Sequence, residues 1–156
     1  MASLYDTDFY GWTQEQSAKL RALLRERSNL DLDIENIAEE IDSLGRSDYR
    51  QLVSRFEEIA IHLLKLHYST LLECERLWKN SVRGQRTRIA RLLRQSPSLK
   101  PRLQEALEAG YEDALRHFSD EKLIELGMPG HLPGTSPFDV DDCLTDNRWP
   151  ELRGAN

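Results

Sequence analysis

Apolar residues at Ile34, Ile37, Ala38, Ile41 and Leu44 recur three and four positions apart, and Leu52, Phe56, Ile59, Ala60 and Leu63 resume the pattern after a short polar gap. The two sets are nearly in phase. The spacing therefore predicts one long helix over residues 31–68, started by Asp31 or Asp33 as its cap. Gly45 sits at the seam, where glycine costs about 1 kcal/mol relative to alanine in a helix interior. Either the helix ends there and Ser47 caps a second one, or it runs through and Gly45, on the apolar side, lets a neighbouring backbone come close. The preserved phase favours the continuous helix.

Before this stretch, Phe9, Trp12, Gln16, Leu20, Leu23 and Leu24 define a first helix, with Asp6 or Thr7 as cap and an end near Arg27. Ser28-Asn29-Leu30 is a short connection, of the kind that joins antiparallel helices. After Tyr68 the pattern lapses at Ser69-Thr70. Trp78, Val82, Ile89, Leu92 and Leu93 then mark a third helix, with Ser81 and Gln85 close to the buried stripe and the arginines on the remaining circumference. Pro97 ends it, and Pro101 suits the first turn of a fourth, whose face reads Leu99, Leu103, Ala106, Leu107, Gly110, Ala114 and Phe118, with Tyr111, Leu115 and His117 beside it. Beyond Phe118, DEKLIELG allows one or two turns closed by Gly127, and DVDDCL a short helix capped by Asp139. The intervening MPGHLPGTSP is irregular and should be ordered only where Leu132, Phe138 or Trp149 docks. No segment alternates as a strand does. The expected fold is all-α, four principal helices in an up-and-down bundle, as a single domain over residues 1–156 with the bundle in 1–118 and a tail in 119–156.

The chain has 156 residues, 39% hydrophobic and 31% charged, enough for one core. No run nears the roughly 18 apolar residues of a membrane span, and MASLYDTDFYGW lacks the basic flank and apolar run of a signal peptide. A cytoplasmic protein with no membrane partner is expected, and its two cysteines, Cys74 and Cys143, are expected as thiols. The net charge of −6 argues against a chain coated in nucleic acid, but its distribution is segregated. Residues 28–45 carry Asp31, Asp33, Glu35, Glu39, Glu40 and Asp42 with no lysine or arginine. Residues 76–102 carry nine basic residues and no acidic one.

Three constellations carry candidate chemistry. Arg83, Arg86, Arg88, Arg91 and Arg94 of the 76–94 stretch could follow a line of phosphates and bind nucleic acid or another anionic partner. The ordinary alternative is that they face the acidic half of the second helix in surface ion pairs of about 0–1 kcal/mol each, and the absence of interleaved aromatics favours it. Glu58, His62, His67 and His117 suggest a metal-dependent bundle enzyme near His62 and His67, but the spacing of Glu58 and His62 is four, where di-iron bundles use three. Neither metal nor cofactor is therefore expected. Glu40, Gly45, His67, Ser81 and Gln85 could line a polar pocket, or form the kind of hydrogen-bonded core network that fixes helix register.

YDTDFYGW, IENIAEEIDSLGRSDYRQL, HLLKLHY, WKNSVRGQR, SPSLKPRL and YEDA, in that order, closely resemble a bacterial family known as domain of unknown function twenty-nine. The resemblance spans about Tyr5 to DVDDCL and implies a helical bundle. It implies no catalytic residue, cofactor or substrate. It also implies a more polar, proline-bearing link after HLLK, whereas YSTLLECERL here is partly apolar. With no nucleophile elbow, phosphate loop or paired-thiol motif, the leading expectation is a small non-enzymatic interaction or adaptor protein, with an unidentified protein or a second copy of itself as partner.

Overall fold

The computed structural model describes residues 1–27 and 29–152, so Ser28 of the expected connection lies outside the described residues. About 75% is helical, with no strand among the described residues. Four long helices, α2 (Phe9–Glu26), α3 (Ile34–Tyr68), α4 (Glu75–Gln95) and α5 (Leu103–His117), are preceded by the short α1 (Leu4–Thr7) and followed by the short α6 (Asp120–Glu125) and α7 (Val140–Leu144). The all-α expectation with four principal helices holds. α3 runs unbroken through Gly45, and Asp33 starts it by accepting from the Asn36 backbone N–H at 3.4 Å.

Two compact units divide the chain, Met1–Gln51 with Arg91–Pro101, and Leu52–Ala90 with Arg102–Asn156. In the first, α2 runs antiparallel to the opening half of α3. Thr13 meets Gly45, while Arg21, two turns further along α2, meets Glu35, Glu39 and Asp42. The buried positions of α2 are Thr13 and Ser17, and the apolar stripe read from the sequence is only half-buried. Small polar side chains are there because the helices are close. A Cβ on Gly45 would lie 2.5 Å from Thr13 Oγ1, so what approaches this glycine is a hydroxyl, not the backbone expected. Asp8, rather than Asp6 or Thr7, caps α2. Its carboxylate accepts from the Gly11 N–H at 3.2 Å and the Ser98 hydroxyl at 2.8 Å, so it serves two segments at once. The buried Ser96 hydroxyl accepts from the Tyr10 N–H at 3.0 Å and donates to Asp48 at 3.3 Å. Pro101 lies in a 3-10 stretch, Pro97–Arg102, so α5 begins at Leu103 and not in the preceding turn.

The second unit holds the closing half of α3, where Leu52, Phe56, Ile59, Ala60, Ile61, Leu63, Leu64 and Leu66 are all buried. Those residues spread over more than half of the helix circumference, while Gln51, Ser54 and Glu58 face solvent on the remainder. α5 reaches it through Gly110, where a Cβ would stand 2.8 Å from Val53 O and Glu57 N; here glycine does permit backbone contact. α3 ends at Tyr68, and one 3-10 turn, Leu72–Cys74, leads into α4. The tail is fastened at intervals. Ser69 donates to Leu126 O, Gly127 closes α6 at φ +61°, and the Tyr111 hydroxyl donates to Pro133 O at 2.6 Å. Phe138 is buried, Leu132 and Trp149 are half-buried, and Asp139 caps α7 as expected.

Candidate functional site

Arg86 is 4% exposed, so it leaves the exposed arginine row predicted from the sequence. Its place on α4 explains this. Arg86 falls four residues after Val82 and three before Ile89, both buried, and so points where they point. The guanidinium donates from Nε to Cys143 O at 2.7 Å and from Nη2 to Asp142 O at 3.0 Å and Arg148 O at 2.8 Å. It also stacks on Trp149, 4.6 Å from the ring centre. Two of these carbonyls close the C-terminal turn of α7, where the helix leaves carbonyls without partners and a cation is favoured. Arg86 is thus a clamp on the tail. Burial lowers its pKa, and its Nη1, like Gln85 Oε1, is buried without a hydrogen-bond partner.

Arg83, Arg88, Arg91 and Arg94 remain exposed. Arg83 donates to Asn80 at 3.0 Å and, with Lys79, flanks the Trp149 ring. Among the described residues, the ion pairs of the acidic half of α3 are made by Arg21 from α2 and Arg46 from α3 itself. The residues read as a polar pocket fall in different units, Glu40 and Gly45 in the first and His67, Ser81 and Gln85 in the second. Glu40 is exposed, Ser81 bonds back to Leu77 O at 3.3 Å, and His67 Nδ1 lies 2.8 Å from Glu151 O.

His62 Nδ1 is 2.7 Å from Glu58 O, and burial lowers its pKa. His117 Nε2 is 3.5 Å from Lys122 Nζ, and burial followed by the charges of Lys122 and Lys65 lowers its pKa. Among the described residues no group of three or more His, Cys, Asp or Glu is placed to hold a metal ion. Cys74 and Cys143 are free thiols, and burial pushes Cys143 up to about 12, which makes it a poor nucleophile.

The feature that sequence reasoning missed is a surface on the opening half of α3. Ile37 is 41% and Leu44 is 49% exposed, with Ile41 half-buried between them. Together with Asp33, Asn36 and Glu40 they line a shallow depression of about 410 Å³. The periodicity that found the stripe could not show that only Ile34, Ala38 and Gly45 of this half are covered. Isoleucine and leucine thus stand outward in a turn-by-turn row edged by carboxylates.

No helix among the described residues is long and apolar enough to cross a membrane. No curated protein matches the chain. A crystal structure of an α-helical protein of unknown function from Rhodospirillum rubrum is similar to it, with 27% sequence identity and a TM-score of 0.72, covering 94% of this chain and 92% of that one. The model of the domain of unknown function DUF29 matches residues 4–149, nearly the whole chain with both its clamp and its exposed α3 face, and the chain belongs to that family.

Proposed function

We propose that this protein is an interaction module whose opening half of α3 receives a basic amphipathic helix of another protein. The observation that carries this reading is the row Ile37, Ile41, Leu44, exposed on a helix whose surrounding charges are acidic. Three apolar side chains at helical spacing match the anchors of a helix laid in a groove. The edge decides the partner's chemistry. Asp33 and Glu40 flank the row, and Glu35, Glu39 and Asp42 lie on the same half-helix with Arg21 and Arg46 as their only basic partners among the described residues. Two copies meeting through this face would set carboxylate against carboxylate, so a lysine- or arginine-flanked apolar ridge complements it better than a second copy does.

The test uses a synthetic helical peptide with leucines at i, i+3 or i+4 and i+7 between lysines, and a second peptide with the same leucines between glutamates. The lysine peptide should bind the wild-type chain, the glutamate peptide should not, and Ile37→Ser with Leu44→Ser should weaken the lysine peptide by about tenfold or more, each buried leucine or isoleucine contributing ~1.5–3 kcal/mol. Because both side chains are exposed, melting should hardly change. Equal binding by the double variant would overturn the reading, as would a wild-type dimer that Ile37→Ser converts to monomer, since the occupant would then be a second copy.

A further inference from the structure

The C-terminal strap, residues 137–151, encloses a separate hollow of about 260 Å³ in the second unit. Leu63 and His67 of α3 form one side, and Phe138, Arg148, Trp149 and Glu151 are among the residues of the other. The hollow is built before any ligand arrives. Arg86 pins the strap at the Asp142, Cys143 and Arg148 carbonyls and stacks on Trp149, and His67 holds it again at Glu151. A site held open in this way loses little conformational freedom on binding.

Its chemistry is selective. Asp142 and Arg148, which both line it, are paired at 2.9 Å, and Asp142 also accepts from the Asp139 N–H, so these two charges answer each other and do not call for an ion. His67 supplies the polar group. The Glu151 carbonyl can only accept, so the proton of the neutral ring sits on Nδ1, and Nε2 is left as an acceptor. Aromatic surface stands beside it, with the Phe138 ring perpendicular to His67 at 6.5 Å between centres. The volume is below the roughly 300–1,000 Å³ of sites for drug-sized molecules, and equals about nine waters at ~30 Å³ each. That suits one or two fused rings.

We infer that this hollow binds a small, neutral, flat molecule carrying one N–H or O–H donor, with the donor on His67 Nε2 and the ring against Phe138 and Trp149. The inference is independent of the α3 face. Indole and indene form the probe pair, alike in shape and different in the N–H. Titrated into the full chain and followed by backbone amide NMR, indole should shift Leu63, His67 and Phe138 saturably and bind about five- to tenfold more tightly than indene, the effect of one hydrogen bond. His67→Phe should bring the ratio close to one, whereas His67→Gln, which keeps an acceptor, should retain part of the preference. Trp149→Phe, which keeps an aromatic wall, should weaken both probes by less than tenfold and leave their ratio unchanged. No saturable shift at these residues, shifts centred elsewhere, or a preference for indole that survives His67→Phe would overturn the inference.

Discussion

The two halves of α3 obey different rules, although one unbroken helix contains both. From Leu52 to Leu66 eight apolar side chains are buried over more than half of the circumference, whereas from Ile34 to Leu44 only Ile34 and Ala38 of five apolar residues are. The difference is one of cover. The closing half is packed by α5 at Gly110 and shares its unit with a tail that adds Leu123, Met128, Phe138 and Cys143 to the core. The opening half is met by the small polar face of α2 at Gly45, by Arg21 at Asp42 and by Ser96 at Asp48. Helical periodicity therefore identifies a helix without saying how much of its stripe meets a neighbour, and an uncovered remainder is where recognition can occur.

The largest expected effect separates the halves directly. Phe56→Ala removes a wholly buried ring and should destabilise the protein by about 3–5 kcal/mol in urea unfolding. Ile37→Ala, on the same helix, should stay within about 0.5 kcal/mol. Comparable losses would break the contrast and mean that the Ile37 face is covered in solution.

Next comes the clamp. Arg86→Met keeps much of the bulk but leaves the Asp142, Cys143 and Arg148 carbonyls without their donor, at about 1–3 kcal/mol for each that stays buried. A loss of at least ~2 kcal/mol is expected, together with earlier proteolytic cutting between Pro129 and Pro137. Arg86→Lys should rescue little, since an ammonium lacks the planar fork that reaches several acceptors. A tail equally resistant in Arg86→Met would show that Phe138 and Tyr111 hold it unaided.

Much of this was legible in the sequence, and the misreadings share a cause. The boundaries of α3, its passage through Gly45 and the caps at Asp33 and Asp139 follow from phase and local chemistry, which act within a few residues. Charge groups Arg86 with Arg83 and Arg88, yet the Val82-Arg86-Ile89 spacing puts it on the buried stripe. Its partners lie 56–62 residues away, in carbonyls that no side-chain pattern reveals. The burial of Thr13 and Ser17 is hidden for the same reason, since it depends on partners on another helix, Gly45 facing Thr13 and Asp42 hydrogen-bonded to Ser17. The division of Glu40 and Gly45 from His67, Ser81 and Gln85 is likewise a matter of tertiary packing.

Acid should sharpen the comparison more gently. His62 and His117, both in the second unit, have pKa values lowered chiefly by burial, so the folded state prefers their neutral forms. Below the unfolded histidine value of about 6.5 the unfolded chain binds more protons than the folded one, and stability should fall as pH falls from there. His62→Gln should flatten that slope. A stability unchanged or rising between about pH 6.5 and 5 would contradict the burial of these rings.

The smallest effect belongs to the charges of the opening half. Arg21 reaches Glu35 at 3.8 Å and Glu39 at 3.5 Å and donates to Asp42, but Glu35 and Glu39 are more than half exposed and solvent screens both contacts. Asp42 is the one firm partner. Burial raises its pKa, and the hydrogen bonds from Ser17 and Arg21 more than offset this, so the net shift is downward. Arg21→Gln keeps a donor near Asp42 while deleting the positive charge, and it should lower the urea midpoint far less than Arg86→Met does. High salt should erase most of even that difference, because screening already removes in the wild type what the substitution takes away. A large loss that persists in high salt would place Arg21 among the packing groups of α2, and the opening half of α3 would then be held by more than Thr13, Ser17 and Gly45 provide.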